Sequence, residues 1–331
     1  VGIQLVMGGS GFLGSHVVRQ LVAHGVQVRV WTRPSSSTRA FDDLPVEHIA
    51  SELDDEPTLR AAMRDVDAVH YCVVDTRAWL RDPAPLFATN VDGLRHALDA
   101  AVAAGVPRFV FCSTVGTIAI VGSGLADESM PHNWEHLGGG YIRSRLTAER
   151  LVLRYHSQYG LPAVVLCVAT TYGPHDYGPS PHGGQIAAAA RGKLPVYLKG
   201  QLLEVVSVED AARAFPLAAE RGRPGERYII SERWLPAKDL LDAAAAEVGR
   251  TPPRWGVPLA LMKVIGVAGD LAGRMLRRDV VLNSTSVRLA HIMSPLDHGK
   301  AVRELGWEPG PTLDAVRDAA RFFTAPSGYG E

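Results

Sequence analysis

Tyr141 and Arg145 stand four residues apart in the run Tyr141-Ile142-Arg143-Ser144-Arg145. On a helix they share one face. The cation would lower the phenol pKa and hydrogen-bond a ribose. The run Cys112-Ser113-Thr114-Val115-Gly116-Thr117 adds a hydroxyl, Thr114, able to hold a carbonyl oxygen against that phenol. These are the parts needed to protonate an alkoxide as a hydride arrives. Taken singly, a Tyr-x-x-x-Arg pair is ordinary helix surface, so its meaning depends on what lies nearby.

A place for a hydride carrier appears in the first fourteen residues. An apolar strand (residues 3–6) leads into Met7-Gly8-Gly9-Ser10-Gly11-Phe12-Leu13-Gly14. An amphipathic helix with apolar Val17, Val18, Leu21 and Val22 follows. Gly8, Gly11 and Gly14 let the turn bend and the backbone approach a pyrophosphate. The helix N-terminus offers free N–H groups and partial positive charge. After the second strand the chain reads Trp31-Thr32-Arg33-Pro34-Ser35-Ser36-Ser37, with no carboxylate to take ribose hydroxyls. Arg33 and the serine hydroxyls suit a 2′-phosphate, which favours NADP(H) over NAD(H).

These residues need a scaffold that gathers strand ends. Strand patterns fall at residues 4–7, 27–31, 47–49, 68–73, 109–112 and 163–168, with helical patterns at 86–104 and 141–159. The alternation predicts an α/β fold, a Rossmann-type doubly wound parallel sheet with helices on both faces. Ligands bind such sheets at the carboxyl ends of the strands. Residues 1–168 read as the dinucleotide-binding domain, its sheet completed by later segments. Residues 169–331 read as a smaller, mostly helical substrate lobe. Its parts are a Pro- and Gly-rich loop (172–181), a helix near 185–191 and a strand at 228–230.

Composition narrows the function classes. The chain has 331 residues, 21% charged, with a net charge of -1, which points away from nucleic acid and anionic surfaces as general partners. Cys72, Cys112 and Cys167 lie in apolar runs and read as buried free thiols of a reducing, cytoplasmic compartment. The sequence starts at its first strand, so no targeting segment is expected. Residues 257–276 are strongly apolar but contain Lys263, Asp270 and Arg274. That predicts an amphipathic helix and not a membrane span, with a membrane-surface role as the lesser alternative. His132 and His136 lack a third ligand, and no metal site is expected. Ser113 has no nucleophile-elbow context.

In order and spacing the motifs resemble the extended short-chain dehydrogenase/reductases over nearly the full length. The resemblance rests on the glycine turn, Asn90-Val91-Asp92-Gly93, Ser113-Thr114 and Tyr141 to Arg145. It continues through Ala148-Glu149, Tyr172-Gly173-Pro174, Val208-Glu209-Asp210-Ala211 and Leu305-Gly306-Trp307-Glu308-Pro309. Within the family the chain is most similar to the branch of dihydroflavonol reductases, 3β-hydroxysteroid dehydrogenases and hopanoid-associated sugar epimerase-like proteins.

The resemblance implies Tyr141 as acid/base, Thr114 as the substrate-orienting hydroxyl, Arg145 as the stabilising cation and Asn90 near the proton path. It implies cofactor contacts at Gly8, Gly11, Phe12, Leu13, Gly14, Arg33, Ser36, Glu52, Leu53 and Val73. Tyr141, Arg145, Ala169, Thr171 and Tyr172 complete them. Substrate-wall candidates are Thr76, Trp79, His175 and Tyr177, with Trp134 and Gln201 behind them. A homodimer through the helices at 86–104 and 141–159 is common in the family. Departures cluster at the cofactor: Arg145 stands for the motif lysine, Met7 for a threonine, Glu52 for an aspartate, Tyr71 for a histidine and Val168 for a proline. Arginine keeps the charge but cannot relay a proton as an ammonium does.

The expected function is NADP(H)-dependent interconversion of a ketone or aldehyde, hydrophobic in character, with its alcohol. Two alternatives stay open: an epimerase or lyase using NAD(P) transiently, and a redox-inactive cofactor-binding protein.

Overall fold

The structure is a computed structural model that describes residues 2–178 and 180–325. In chain order the first half comprises β1 (Ile3–Met7), α1 (Phe12–Ala23), β2 (Gln27–Thr32), β3 (Val46–Ala50), α2 (Glu56–Ala62) and β4 (Val66–Tyr71). It continues with α3 (Ala84–Phe87), α4 (Gly93–Ala104), β5 (Phe109–Thr114), α5 (Gly139–Tyr159) and β6 (Ala163–Val168). The second half opens with β7 (Thr170–Tyr172), α6 (Pro181–Ala190), β8 (Val196–Leu198), β9 (Leu202–Ser207), α7 (Val208–Arg221) and β10 (Arg227–Ile230). Then come β11 (Arg233–Pro236), α8 (Ala237–Glu247), β12 (Trp255–Val257), α9 (Leu259–Leu276), α10 (Ser284–Leu289), α11 (Gly299–Leu305) and α12 (Thr312–Thr324).

Seven parallel strands form the main sheet in the order β10-β6-β5-β4-β1-β2-β3. Leu5, Val6 and Met7, and every residue of β6, are buried. Helices cover both faces of these strands, so their apolar runs are continuous instead of alternating. α1 and α7 pack together on the sheet, and α2, α4 and α5 form the other layer. The order of strands reverses between β1 and β4, and the crevice at a reversal is where such sheets bind ligands.

Residues past 168 contribute to this sheet, because β10 pairs with β6 and completes its edge. They also build a second core. β7, β9 and β11 form a small sheet covered by α6, α8 and α12, around Tyr172, Ile186, Leu240, Val316 and Phe323. β8 pairs with β12. The segment Leu305 to Pro309 is a strap: the fully buried Trp307 donates from Nε1 to the Asp210 carbonyl at 2.8 Å.

Several expected boundaries move. The strand placed at 68–73 ends at Tyr71, which leaves Cys72 and Val73 in the crevice. The strand placed at 109–112 runs on through Thr114. The helix expected over 86–104 is interrupted by a π-helical turn, Ala88–Asp92. Tyr172, expected to open the loop at 172–181, instead ends β7, which pairs with β9. The loop itself contains Pro179, which lies outside the described residues.

Candidate active site

The glycine turn is shaped by close backbone approach. Gly8 has φ +82°, and a Cβ on Gly14 would sit 2.3 Å from the Gly8 carbonyl oxygen. No larger residue fits at Gly14 without opening the turn. Gly11 caps α1 with no side-chain hydrogen bond, and the first turn of the helix carries no acidic residue. Its first N–H groups therefore lack intrahelical partners and face the crevice, the arrangement that holds a phosphate. Phe12, Leu13 and Gly14 supply these amides. Behind the turn, His16 Nε2 lies 3.0 Å from the Pro174 carbonyl oxygen, and burial lowers the His16 pKa to about 4. The imidazole is neutral there.

Arg33 and Ser36 follow β2 in a tight turn, Ser36 N–H donating to the Arg33 carbonyl at 3.0 Å. Arg33 is exposed and Ser36 half-buried. Glu52 is exposed, whereas Leu53 packs against Gly93 at the start of α4. Val73 N is one of the atoms nearest to Gly8. These residues line the strand ends on both sides of the glycine turn.

Tyr141 lies in the first turn of α5 and Thr114 ends β5. The Thr114 hydroxyl is near enough to act on the Tyr141 phenol, and so is Arg145. Thr114 Oγ1 accepts from Gly116 N–H at 3.2 Å, which fixes its orientation. Burial raises the Tyr141 pKa, while Arg145 and Thr114 act in the opposite direction. The phenol is therefore protonated at neutral pH.

Arg145 is only 2% exposed. Its Nη2 donates to the Cys112 carbonyl, and its guanidinium lies 5.0 Å from the centroid of the Phe111 ring. Nε and Nη1 are buried without hydrogen-bond partners, as is the hydroxyl of Tyr71 nearby. A buried guanidinium with two open donors is costly unless a ligand completes it. Together with the glycine cradle, this fits a ribose-bearing dinucleotide. Cys72 follows β4 and Cys112 lies on the adjacent β5, and Cys112 Sγ donates to the Ser113 carbonyl at 3.7 Å. The neighbouring Cys72 thiol, and after it Arg145, lower the Cys112 pKa against the effect of burial.

Asn90 occupies the π-turn and is fully buried. Its Oδ1 accepts from Asp75 N–H at 2.7 Å, and its Nδ2 donates to the Asp75 carbonyl and to Ser144 Oγ, both at 3.0 Å. Ser144 Oγ donates in turn to the Tyr141 carbonyl at 2.8 Å. Asn90 thus acts on Tyr141 through Ser144. Ser144 was not anticipated; its position three residues past Tyr141, with a hydroxyl aimed back along the helix, was the available signal.

The substrate-wall candidates separate into two places. His175 and Tyr177 join an aromatic cluster with His16 and Phe322, and His175 Nδ1 lies 3.1 Å from the Tyr177 hydroxyl. Thr76 and Trp79 lie in the irregular segment after β4. The Trp79 carbonyl accepts from Asn283 at 3.0 Å. Asn283 in turn lines a cleft of about 360 Å³ with Arg81, Gly140, Arg143 and Thr285. Gly140, which precedes Tyr141 in the first turn of α5, is part of this lining. Trp134 is a core residue, donating from Nε1 to the Ile118 carbonyl at 2.8 Å. Gln201 is buried at the start of β9.

Ala169 N–H donates to the Ile230 carbonyl at 2.9 Å, and Thr171 lies in β7. The Tyr172 side chain is buried in the second core, and its strand pairs with β9. Ser113 donates to Glu149 at 2.5 Å, and Glu149 pairs with Arg227 at 2.8 Å. That buried network ties β5, α5 and β10 together and occupies the Ser113 hydroxyl. Among the described residues no group of three or more His, Cys, Asp and Glu side chains is arranged to hold a metal, and no helix is long and apolar enough to cross a membrane.

A model of the NAD dependent epimerase/dehydratase family matches residues 4–231. A Synechocystis protein named "Putative dihydroflavonol 4-reductase" is 31% identical over 323 residues, covering 96% of this chain and 93% of its own length. Sterol demethylase protein B of Methylococcus capsulatus is 30% identical over 321 residues, covering 96% of this chain and 97% of its own. The crystal structure of gox2253 superposes with a TM-score of 0.87 at 30% identity, covering 99% of each chain.

Proposed function

The chain belongs to the NAD dependent epimerase/dehydratase family of extended short-chain dehydrogenase/reductases, and on that premise we propose that it is an NADP(H)-dependent reductase of a hydrophobic ketone or aldehyde. The observation that carries this reading is Arg145, 2% exposed with Nε and Nη1 unpartnered, one helical turn from Tyr141 and beside the glycine cradle's crevice. When bound, the nicotinamide supplies or accepts the hydride.

The protein's own residues do the rest. The α1 N-terminus and the glycine turn hold the pyrophosphate. Arg33 and Ser36 take the 2′-phosphate. Arg145 donates Nε and Nη1 to ribose hydroxyls. Thr114 orients the carbonyl oxygen, and Tyr141 gives that oxygen its proton. Asn90 and Ser144 fix the start of α5, so the phenol keeps its place. Burial raises the Tyr141 pKa, so the proton that the carbonyl oxygen receives is in place at neutral pH. The names of the relatives, one a reductase and one a sterol protein, support a carbonyl on an apolar skeleton.

The reading includes a lobe division at residue 168, a homodimer through α4 and α5, and a cytoplasmic site of action consistent with three free cysteines. The experiment is NADPH consumption against a panel of apolar ketones and aldehydes, with Tyr141→Phe as control. Turnover that vanishes in the control while NADPH still binds supports the reading. No turnover above that control for any substrate overturns it.

A second reading, cofactor binding without redox chemistry, draws on Arg145, which stands where the family has lysine. It predicts NADPH binding without turnover, and turnover in Arg145→Lys. An epimerase reading predicts cofactor that co-purifies and is never consumed.

A further inference from the structure

α9 is built the wrong way round for a helix of a globular domain. Of its eighteen residues only Gly266 and Gly273 are buried. Added Cβ atoms at Gly266, Gly269 and Gly273 would meet the backbone of Ser284, Leu282 and Arg278, at 3.1, 2.0 and 3.1 Å. The glycine stripe therefore seats the helix against the segment 278–287. The opposite side carries the large apolar side chains. Leu261, Val264, Val267, Leu271, Met275 and Leu276 are 51%, 65%, 53%, 53%, 84% and 67% exposed. At 100° per residue, Val264, Leu271 and Met275 point away from the glycines. Trp255, on the strand just before the helix, is 72% exposed. An apolar surface of this extent needs something to cover it.

Charge identifies the cover. Residues 259–279 hold Lys263, Arg274, Arg277 and Arg278, all exposed, and two acids, Asp270 and Asp279. Both acids are turned to backbone amides: Asp270 accepts from Ser284 N–H at 3.3 Å and Asp279 from Arg81 N–H at 3.0 Å. The stretch is net +2 on a chain of net -1. Exposed apolar side chains bordered by free cations, with a neighbouring tryptophan, match an anionic lipid surface. A second copy of the chain would bring the same four cations toward one another. The cleft lined by Gly140, Arg143, Asp270 and Arg274 opens between this helix and α5.

We propose that α9 is an interfacial helix that docks the protein on an anionic bilayer, its Leu261–Met275 face inserted among the acyl chains and its cations at the headgroups. Docking sets the cleft beside Tyr141 at the membrane, where apolar molecules are concentrated. Binding is measured without turnover, so it stands or falls independently of the reductase reading.

The test is co-sedimentation of the full chain with vesicles of phosphatidylcholine alone and of equal parts phosphatidylcholine and phosphatidylglycerol. The anionic vesicles should capture the protein, and added salt should weaken capture. Val264→Asp/Leu271→Asp should weaken it by about tenfold or more, with an unchanged melting curve, because neither side chain touches the packed face. Arg277→Glu/Arg278→Glu should abolish the preference for anionic lipid. Failure of the wild-type chain to bind anionic vesicles overturns the proposal. So does equal binding by Val264→Asp/Leu271→Asp. An oligomer in lipid-free solution that this variant dissociates, with no vesicle capture, would instead assign the face to a second copy.

Discussion

Asn90 donates to Ser144 Oγ at 3.0 Å across 54 residues of chain, and Ser144 holds the first turn of α5 at the Tyr141 carbonyl. The π-turn over Ala88–Asp92 is what brings Asn90 to this position. One extra residue in that turn rotates the side chain inward, a device frequent at functional sites. The same amide also clamps the backbone of Asp75. Asn90→Ala would leave the Asp75 N–H and the Asp75 carbonyl buried and unpaired. The expected cost is about 2–4 kcal/mol, read as a lower Tm, and kcat should fall because Tyr141 loses its fixed position. Asn90→Asp keeps the acceptor for Asp75 N–H but turns a buried carboxylate oxygen on the Asp75 carbonyl, so it should lower Tm at least as much as alanine does.

The pH dependence follows from the two opposing influences on Tyr141. Burial raises its pKa, and Arg145 lowers it. The proton donor is the protonated phenol, so reduction should be flat through neutral pH and fall as pH rises past the Tyr141 pKa. Alcohol oxidation needs the tyrosinate and should rise over the same range. Arg145→Met removes the lowering influence, and both limbs should move to higher pH. Arg145→Lys keeps the charge, so its limbs should stay near those of the wild type. Rate profiles in both directions check this.

Arg33 decides between cofactors if it reads a 2′-phosphate. Arg33→Asp should weaken NADPH by about 10–100-fold, the loss of one charge-assisted hydrogen bond together with new repulsion. NADH binding should be unchanged or tighter. Fluorescence titration with each cofactor measures the ratio, and equal loss for both would reassign Arg33 to structure.

Gly14→Ala tests the glycine turn directly. Its Cβ would lie 2.3 Å from the Gly8 carbonyl oxygen, so the turn must open. Overpacking of this kind costs about 1–3 kcal/mol, and the α1 amides would leave their alignment. Both Tm and NADPH affinity should drop, whereas Gly25→Ala, at a positive-φ turn with nothing near its Cβ, should lower Tm alone.

Strand periodicity and glycine placement were enough to read the main sheet, because parallel strands buried on both faces advertise themselves as continuous apolar runs. The placing of Thr114 at a strand end and of Tyr141 at a helix start was legible for a related reason. In this architecture residues just past the strands converge wherever the helices lead. Other features had no local signature. Asn90 looked like a member of a regular helix, and only the packed neighbours show why the helix widens there. His175 and Tyr177 follow Tyr172-Gly173-Pro174 directly in sequence, but their rings pack on His16 and Phe322, and Phe322 is 147 residues past His175 in the chain. The apolar run at 257–276 declared a helix but not its orientation. Composition fixes how much apolar surface α9 carries, and contact through Gly266, Gly269 and Gly273 settles which side faces water. Local pattern specifies elements because it acts through a few bonds. Which side chains meet, and which are left exposed, depends on pairings between distant segments that no local pattern encodes.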